Sequence, residues 1–277
     1  MEENTADLVE GFLLQHLGDG IISSKSLRTK MNERIKGSPD SAAACMVRAF
    51  ANYNLDDFPA AIRDASQVID FCSDSYLPWH IRGASYWQSQ EPEKAEVDLS
   101  ESIRLSGSVN LWLEDSYRFR GGIRCNAKRA AEAIDDLTRC LDLDPEDSWA
   151  FVFRGNAYCI SKQYHSALND YEQAVSIDED DPYLVSTLSW LLATCPDDAI
   201  RDGHRALELA EHANAIGDDG FHDDLAVARA ELGDFAGAVK AQELALRQCD
   251  DMTERLRLQE RLSLFESGEP YRSCDDD

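Results

Sequence analysis

Residues Ser148–Asp181 read SWAFVFRGNAYCISKQYHSALNDYEQAVSIDEDD, and their spacing decides the fold. With Ser148 as position 1, large side chains stand at positions 4, 11, 17 and 24, namely Phe151, Tyr158, Tyr164 and Tyr171. Small ones stand at 8, 20 and 27, namely Gly155, Ala167 and Ala174. Phe151, Gly155 and Tyr158 fall on one face of a first helix, and Ala167, Tyr171 and Ala174 on one face of a second. The small positions let two helices approach closely, and the large ones fill the gap between them. Such a hairpin cannot bury its apolar face alone and needs neighbours of its own kind.

These residues resemble a tetratricopeptide repeat (TPR), a helix–turn–helix unit of about 34 residues. Arg154 at position 7 and Glu179 at position 32 depart from the family pattern, where Leu and Pro are usual. The resemblance implies an all-α, right-handed α-α superhelix (a TPR solenoid) of about six helical hairpins plus a C-terminal capping helix.

The register continues on both sides of this stretch. Toward the N-terminus it gives repeats at 114–147 (Gly121, Ala133, Leu137), 76–109 (Trp79, Gly83, Tyr86, Leu99) and 42–75 (Cys45, Ala49, Ala61, Ala65). Arg124 and Ala130 are weak slots that predict a looser core in 114–147. Asn110–Leu113 are surplus to the register, about one helical turn, and are expected to lengthen a helix. Residues 1–41 read as a degenerate N-terminal helical hairpin and cap, with Leu14, Met31 and Pro39 in place. Residues 182–218 and 219–252 continue the pattern more loosely, and within 182–218 the stretches LVSTLSWLLATC and RALELAEHANAI are joined by the polar loop CPDDAIRDG. Residues 253–267 suit a C-terminal capping helix, and 268–277 a flexible acidic tail. This C-terminal arrangement, including Gly268–Arg272 (G-x-P-Y-R), is similar to one common in bacterial TPR proteins.

Acidic residues number 53 against 27 basic, a net charge of −26. Such a surface repels nucleic-acid phosphates and anionic membranes, so neither is an expected partner. The acid reads either as solvated helix surface or as a setting for basic ligands. The N-terminus is acidic where a secretory signal is positive, and no apolar run approaches the ~18 residues of a membrane span. Eight cysteines show no CxxC pair and no framework spacing, which suggests reduced thiols and a cytoplasmic location.

Position 7 is Arg in four repeats (Arg48, Arg82, Arg120, Arg154), and position 23 is Asp in the same four (Asp64, Asp98, Asp136, Asp170). Where position 7 becomes Leu188 or Leu225, position 23 becomes Leu209 or Ala241. The two change together, which predicts a ladder of Arg–Asp pairs joining the helices of each hairpin. A row of arginines reading acidic ligands is the alternative, weakened because each paired Asp neutralises its Arg.

The resemblance also implies a concave ligand groove lined by positions 2, 5, 9, 12 and 13. The candidate peptide-binding residues there are Met46, Phe50, Tyr53, Leu77, His80, Trp87, Arg118, Trp149, Val152 and Asn156. Tyr, Trp and Met are enriched at interfaces, so this row reads as a binding face unless the chain itself covers it. The family's carboxylate clamp of Lys and Asn is not matched, because positions 5 and 9 hold Met46, Phe50, His80 and Ala84.

Catalytic motifs are missing: there is no HExxH, no G-x-S-x-G and no P-loop. His204, Glu208 and His212 recur every four residues, which suits the polar side of a helix at least as well as a metal site. The acidic run Asp218–Asp224 lacks EF-hand spacing. No metal and no cofactor are expected. The sequence therefore points to a non-enzymatic scaffold or adaptor holding a basic or neutral partner peptide or helix. A self-assembly module, its groove buried in a homo-oligomer, is the second reading.

Overall fold

Many of the helices start where the sequence supplies a cap or a proline. The computed structural model describes residues 23–37, 41–107, 111–217 and 220–273. Among them are fourteen α-helices and no strand. They run α1 Ser24–Gly37, α2 Ala42–Tyr53, α3 Phe58–Phe71, α4 Tyr76–Gln88, α5 Pro92–Leu105, α6 Leu113–Asn126 and α7 Ala130–Leu143. After these come α8 Ser148–Ile160, α9 Tyr164–Ile177, α10 Pro182–Thr194, α11 Gly203–Ile216, α12 His222–Glu231, α13 Phe235–Gln248 and α14 Met252–Ser267. Side chains of Ser41, Asp57, Asp147, Asp202, Asp234 and Asp251 each accept a backbone N–H from the first turn they precede. Pro occupies the first turn of α3, α5 and α10, where its missing N–H costs nothing.

The turn inside five of the hairpins is one device. Asp56, Gln90, Lys128, Lys162 and Gly233, all at position 15, take φ between 57° and 80°. The N–H of the next residue bonds back to the carbonyl five earlier, as in Gln163 to Tyr158 (2.8 Å) and Asp234 to Arg229 (2.9 Å). This is the left-handed cap that ends a helix by satisfying its last carbonyls. Only at Gly233 does the residue type suit that conformation without a β-carbon penalty.

Contacts divide the chain into two units, Met1–Ile123 and Arg124–Asp277. In the first, Leu27 and Met31 of α1 pack into a core with Cys45, Val47, Ala61, Val68 and Leu77. In the second, α9 to α14 share a core of small side chains and leucines, closed by Phe265 of α14, which is 1% exposed. Of the expected 1–41 hairpin, α1 is described and the segment before Ser23 lies outside the described residues, as do Asn110 and Asp218.

Position 8 sets how closely paired helices approach. A β-carbon on Gly155 would lie 2.3 Å from Cε1 of Tyr171, and one on Gly83 would lie 2.9 Å from Cγ of Leu99. Gly155→Ala is therefore expected to destabilise the second unit by about 1–3 kcal/mol through overpacking. Urea denaturation checks this; an unchanged midpoint would mean that the Tyr171 ring swings aside without cost.

The structure departs from the sequence reading at two points. Leu111 and Trp112 form a turn and do not lengthen a helix: Trp112 sits at φ 62°, and α6 starts only at Leu113. The segment Gly268–Ser273, expected to be flexible, is instead docked on the second unit. Thr194 Oγ1 donates to the Ser273 carbonyl (2.6 Å), Arg272 pairs with Glu231 (2.5 Å), and Tyr271 lies 6.0 Å from the Trp190 ring. Aromatic burial and an ion pair offset the entropy of ordering it. Cys274–Asp277 lie outside the described residues.

Three of the four expected Arg–Asp pairs are present. Arg48 holds Asp64, Arg82 holds Asp98 and Arg154 holds Asp170, each through Nε and Nη2 to both carboxylate oxygens at 2.6–2.9 Å. The remaining nitrogen, Nη1, reaches position 25 of the preceding repeat: Asn32, Ser66 and Thr138 in these three cases, and Ser100 from Arg120. The guanidinium groups of Arg48, Arg82 and Arg154 thus each tie their own hairpin together and to the helix before it. Position 11 joins in where it is polar: Asn52 donates to Asp64 (3.0 Å), and Arg124 to Asp136 (2.9 Å). The residue that reads as a weak slot in 114–147 thus makes an ion pair.

Candidate functional site

The second unit carries an open groove of about 640 Å³. Its walls come from the register that predicts the ligand face: Asn156 and Trp190 at position 9, Ser186 and Asp223 at position 5, Cys125 at 12 and Asn126 and Ile160 at 13. The far wall is α14, through Glu254, Arg257 and Arg261. Helix periodicity turns positions 5, 9 and 12 to one side, so successive first helices present them in a row.

The polar groups of this groove are held rigidly. Tyr171 donates from its hydroxyl to Oδ1 of Asn156 (2.6 Å), which leaves the Asn156 amide hydrogens as donors for a ligand. Ser186 donates to Asp224 (2.7 Å). Arg261, 4% exposed, pairs with Asp223 (2.8 Å) and Glu254 (3.0 Å), and its guanidinium lies over the rings of Trp190 and Tyr271 at 5.2 and 5.5 Å. A buried arginine between two carboxylates and two aromatic faces is nearly immobile. The lining cations Lys128, Arg257 and Arg261 match the carboxylates Asp223, Asp224 and Glu254 in number.

The ten sequence-predicted residues do not come together in one groove. Asn156 alone among them lines the groove of the second unit. Trp149 is 38% exposed beside Phe153, and Val152 is buried against Ala174 and Leu184. In the first unit, Met46, Phe50, Leu77 and His80 are buried. Tyr53, Trp87 and Arg118 are half-buried, and Arg118 pairs with Asp115 and lies over the Phe119 ring.

The cover over Phe50 and His80 is Trp112. Its ring stacks on Phe50 (5.3 Å, 11° between planes) and on His80 (5.5 Å, 20°). Nδ1 of His80 hydrogen-bonds the Ser116 hydroxyl at 2.7 Å. Burial depresses the His80 pKa to about 4, with Asp115 opposing the shift and Arg118 adding to it.

Sequence reasoning missed Ser186, Trp190 and Asp223, which the same register places at positions 5 and 9 of the two later repeats. Arg257 and Arg261 carry no such signal, because α14 follows the last hairpin and its placement is tertiary. His204, Glu208 and His212 sit on the exposed side of α11, with the His212 ring 3.2 Å from the Glu179 carbonyl. Among the described residues, no helix is long and apolar enough to cross a membrane.

A family model for the tetratricopeptide repeat matches residues 150–181. No curated protein sequence matches the chain. Among solved structures, a chain of the APC/C hetero-tetramer Cut9–Hcn1 is similar over 93% of this chain and 48% of its own length, at 14% identity and a TM-score of 0.70. PilF of Pseudomonas aeruginosa is similar over 81% and 99%, at 16% identity and a TM-score of 0.61. YrrB, described as a TPR protein with an unusual peptide-binding site, is similar over 68% and 93%, at 16% identity and a TM-score of 0.54. At these identities the likeness is one of fold. The chain thus carries a matched tetratricopeptide repeat at residues 150–181 within an all-α fold like that of TPR solenoids.

Proposed function

We propose that this chain is a non-catalytic interaction scaffold that holds an extended peptide of a partner protein in the groove of its second unit. The observation that carries this reading is the groove itself, open at the surface and lined by rigidly held hydrogen-bonding and aromatic side chains. That combination suits a ligand whose backbone must be hydrogen-bonded and whose side chains must be packed. YrrB, with its described peptide-binding site, is a precedent on the same fold. The groove's own charges cancel while the chain carries −26, so the fitting peptide is neutral where it makes contact and neutral or basic beyond it. The lack of disulfide-framework spacing among the cysteines supports a cytoplasmic setting.

Selection of random peptides displayed on phage against the immobilised chain tests this. Selected peptides are expected to lose at least ~10-fold in affinity, roughly 1.4 kcal/mol, to Asn156→Ala, which removes the amide donors, and to Thr187→Trp, which fills the groove. Peptides indifferent to both variants would remove the groove from the mechanism. Light scattering over a range of concentrations addresses the self-assembly reading. A mass that rises with concentration and stays monomeric in Thr187→Trp would replace the adaptor with a homo-oligomer.

A further inference from the structure

The two units treat equivalent positions differently. In the second unit, Asn156, Ser186, Trp190 and Asp223 at positions 5 and 9 line an open groove, while Val152 and Val227 at the same positions are buried. In the first unit the same positions hold Met46, Phe50 and His80, and these are buried. Over Phe50 and His80 lies Trp112, which belongs to the four residues surplus to the repeat register and so to no repeat position. Its indole stacks on both Phe50 and His80, while it remains half-exposed itself. The Ser116 hydroxyl donates to its carbonyl (3.1 Å) and takes part in the hydrogen bond to His80. Its backbone is held at φ 62°, a left-handed conformation that is unfavourable for a residue with a β-carbon.

We propose that Trp112 is a built-in occupant of an aromatic side-chain pocket on the ligand face of the first unit, displaced when an extended partner peptide brings an aromatic residue of its own. Trp112 itself shows what the pocket accepts: a flat ring lying against Phe50 and His80. Stacking of this kind serves an incoming Trp, Tyr or Phe as well as it serves Trp112. A ligand competing with an internal occupant has its apparent affinity lowered by the fraction of chain in the open state, so Trp112 acts as a restraint on binding. The strained φ works in the ligand's favour, because it is relieved when Trp112 leaves. This proposal rests on the reading that the chain binds peptides, but it concerns a different unit.

The test uses the full chain and Trp112→Ala, titrated by calorimetry with acetyl-Gly-Gly-Trp-Gly-Gly-amide and, separately, with indole. The pentapeptide is expected to bind Trp112→Ala at least ~10-fold more tightly than the wild type, and adding Phe50→Ala is expected to abolish that gain. Equal affinity for wild type and Trp112→Ala would overturn the proposal. Binding of indole without the pentapeptide would show an enclosed core cavity and overturn it too, as would binding of neither. If Trp112→Ala does not fold, Trp112→Val takes its place; failure of both would make Trp112 a core residue and exclude the idea. Dependence on Phe50 ties the signal to the first unit, so a failure here and a failure of the second unit's groove are separate results.

Discussion

Replacing Arg82 with Met is expected to destabilise the first unit by about 3–5 kcal/mol, because it strands a buried carboxylate. The Asp98 side chain is 5% exposed and that of Arg82 18%. Without Arg82, Asp98 loses two short hydrogen bonds with little access to water in exchange. Asp98→Ala should cost less, since the more exposed guanidinium keeps Ser66 and gains solvent. The double variant should be more stable than Arg82→Met alone, because no unpaired charge is left behind. Urea denaturation of the three variants and the wild type closes the cycle. A coupling energy near zero would mean that the ladder contributes nothing beyond its packing. The prediction extends to Arg154 and Asp170, which share the geometry.

The second large effect is a loss of stability in mild acid, assigned to His80. In the unfolded chain a histidine titrates near its ordinary value of about 6.5, whereas in the folded chain burial holds His80 near 4. Between those values the unfolded state binds the extra proton, so stability falls as the pH falls. The contribution is fully present above about pH 6.5 and amounts to a loss of about 3 kcal/mol by pH 4. His80→Gln should lose less between pH 7 and pH 4.5 than the wild type. Parallel urea midpoints for the two proteins across that interval would show that His80 is not the group responsible. The pocket around it, formed by Trp112, Phe119 and Ser116, is what keeps the imidazole neutral.

The hairpins were legible in the sequence because the features that make them recur at short, fixed separations. Gly155 against Tyr171 and Arg154 against Asp170 are each 16 residues apart. One repeat contains both partners, and a repeat's packing depends chiefly on itself and its neighbours. The third contact of each arginine was readable in the same way but was passed over. Its signal is the short polar residue at position 25, Asn32, Ser66, Ser100 or Thr138, whose modest size gives nothing away by itself. Helix ends were readable from Asp and Ser caps, while the left-handed turns at Gln90, Lys128 and Lys162 were not, since these residues seldom adopt that conformation.

By itself, then, the sequence determined an all-α chain of TPR hairpins, their register, and the Arg–Asp pairs that clamp them. These are local matters, settled by period and by the reach of one side chain. Which part of the face formed by positions 5 and 9 stays open was decided only in three dimensions. Trp112 covers Phe50 and His80 from outside the register. Arg261 walls the second groove by pairing with Asp223, 38 residues away, and the segment ending at Ser273 returns to Thr194, 79 residues away. Burial of a surface depends on every segment that can reach it, and segments this distant leave no periodic trace in the chain.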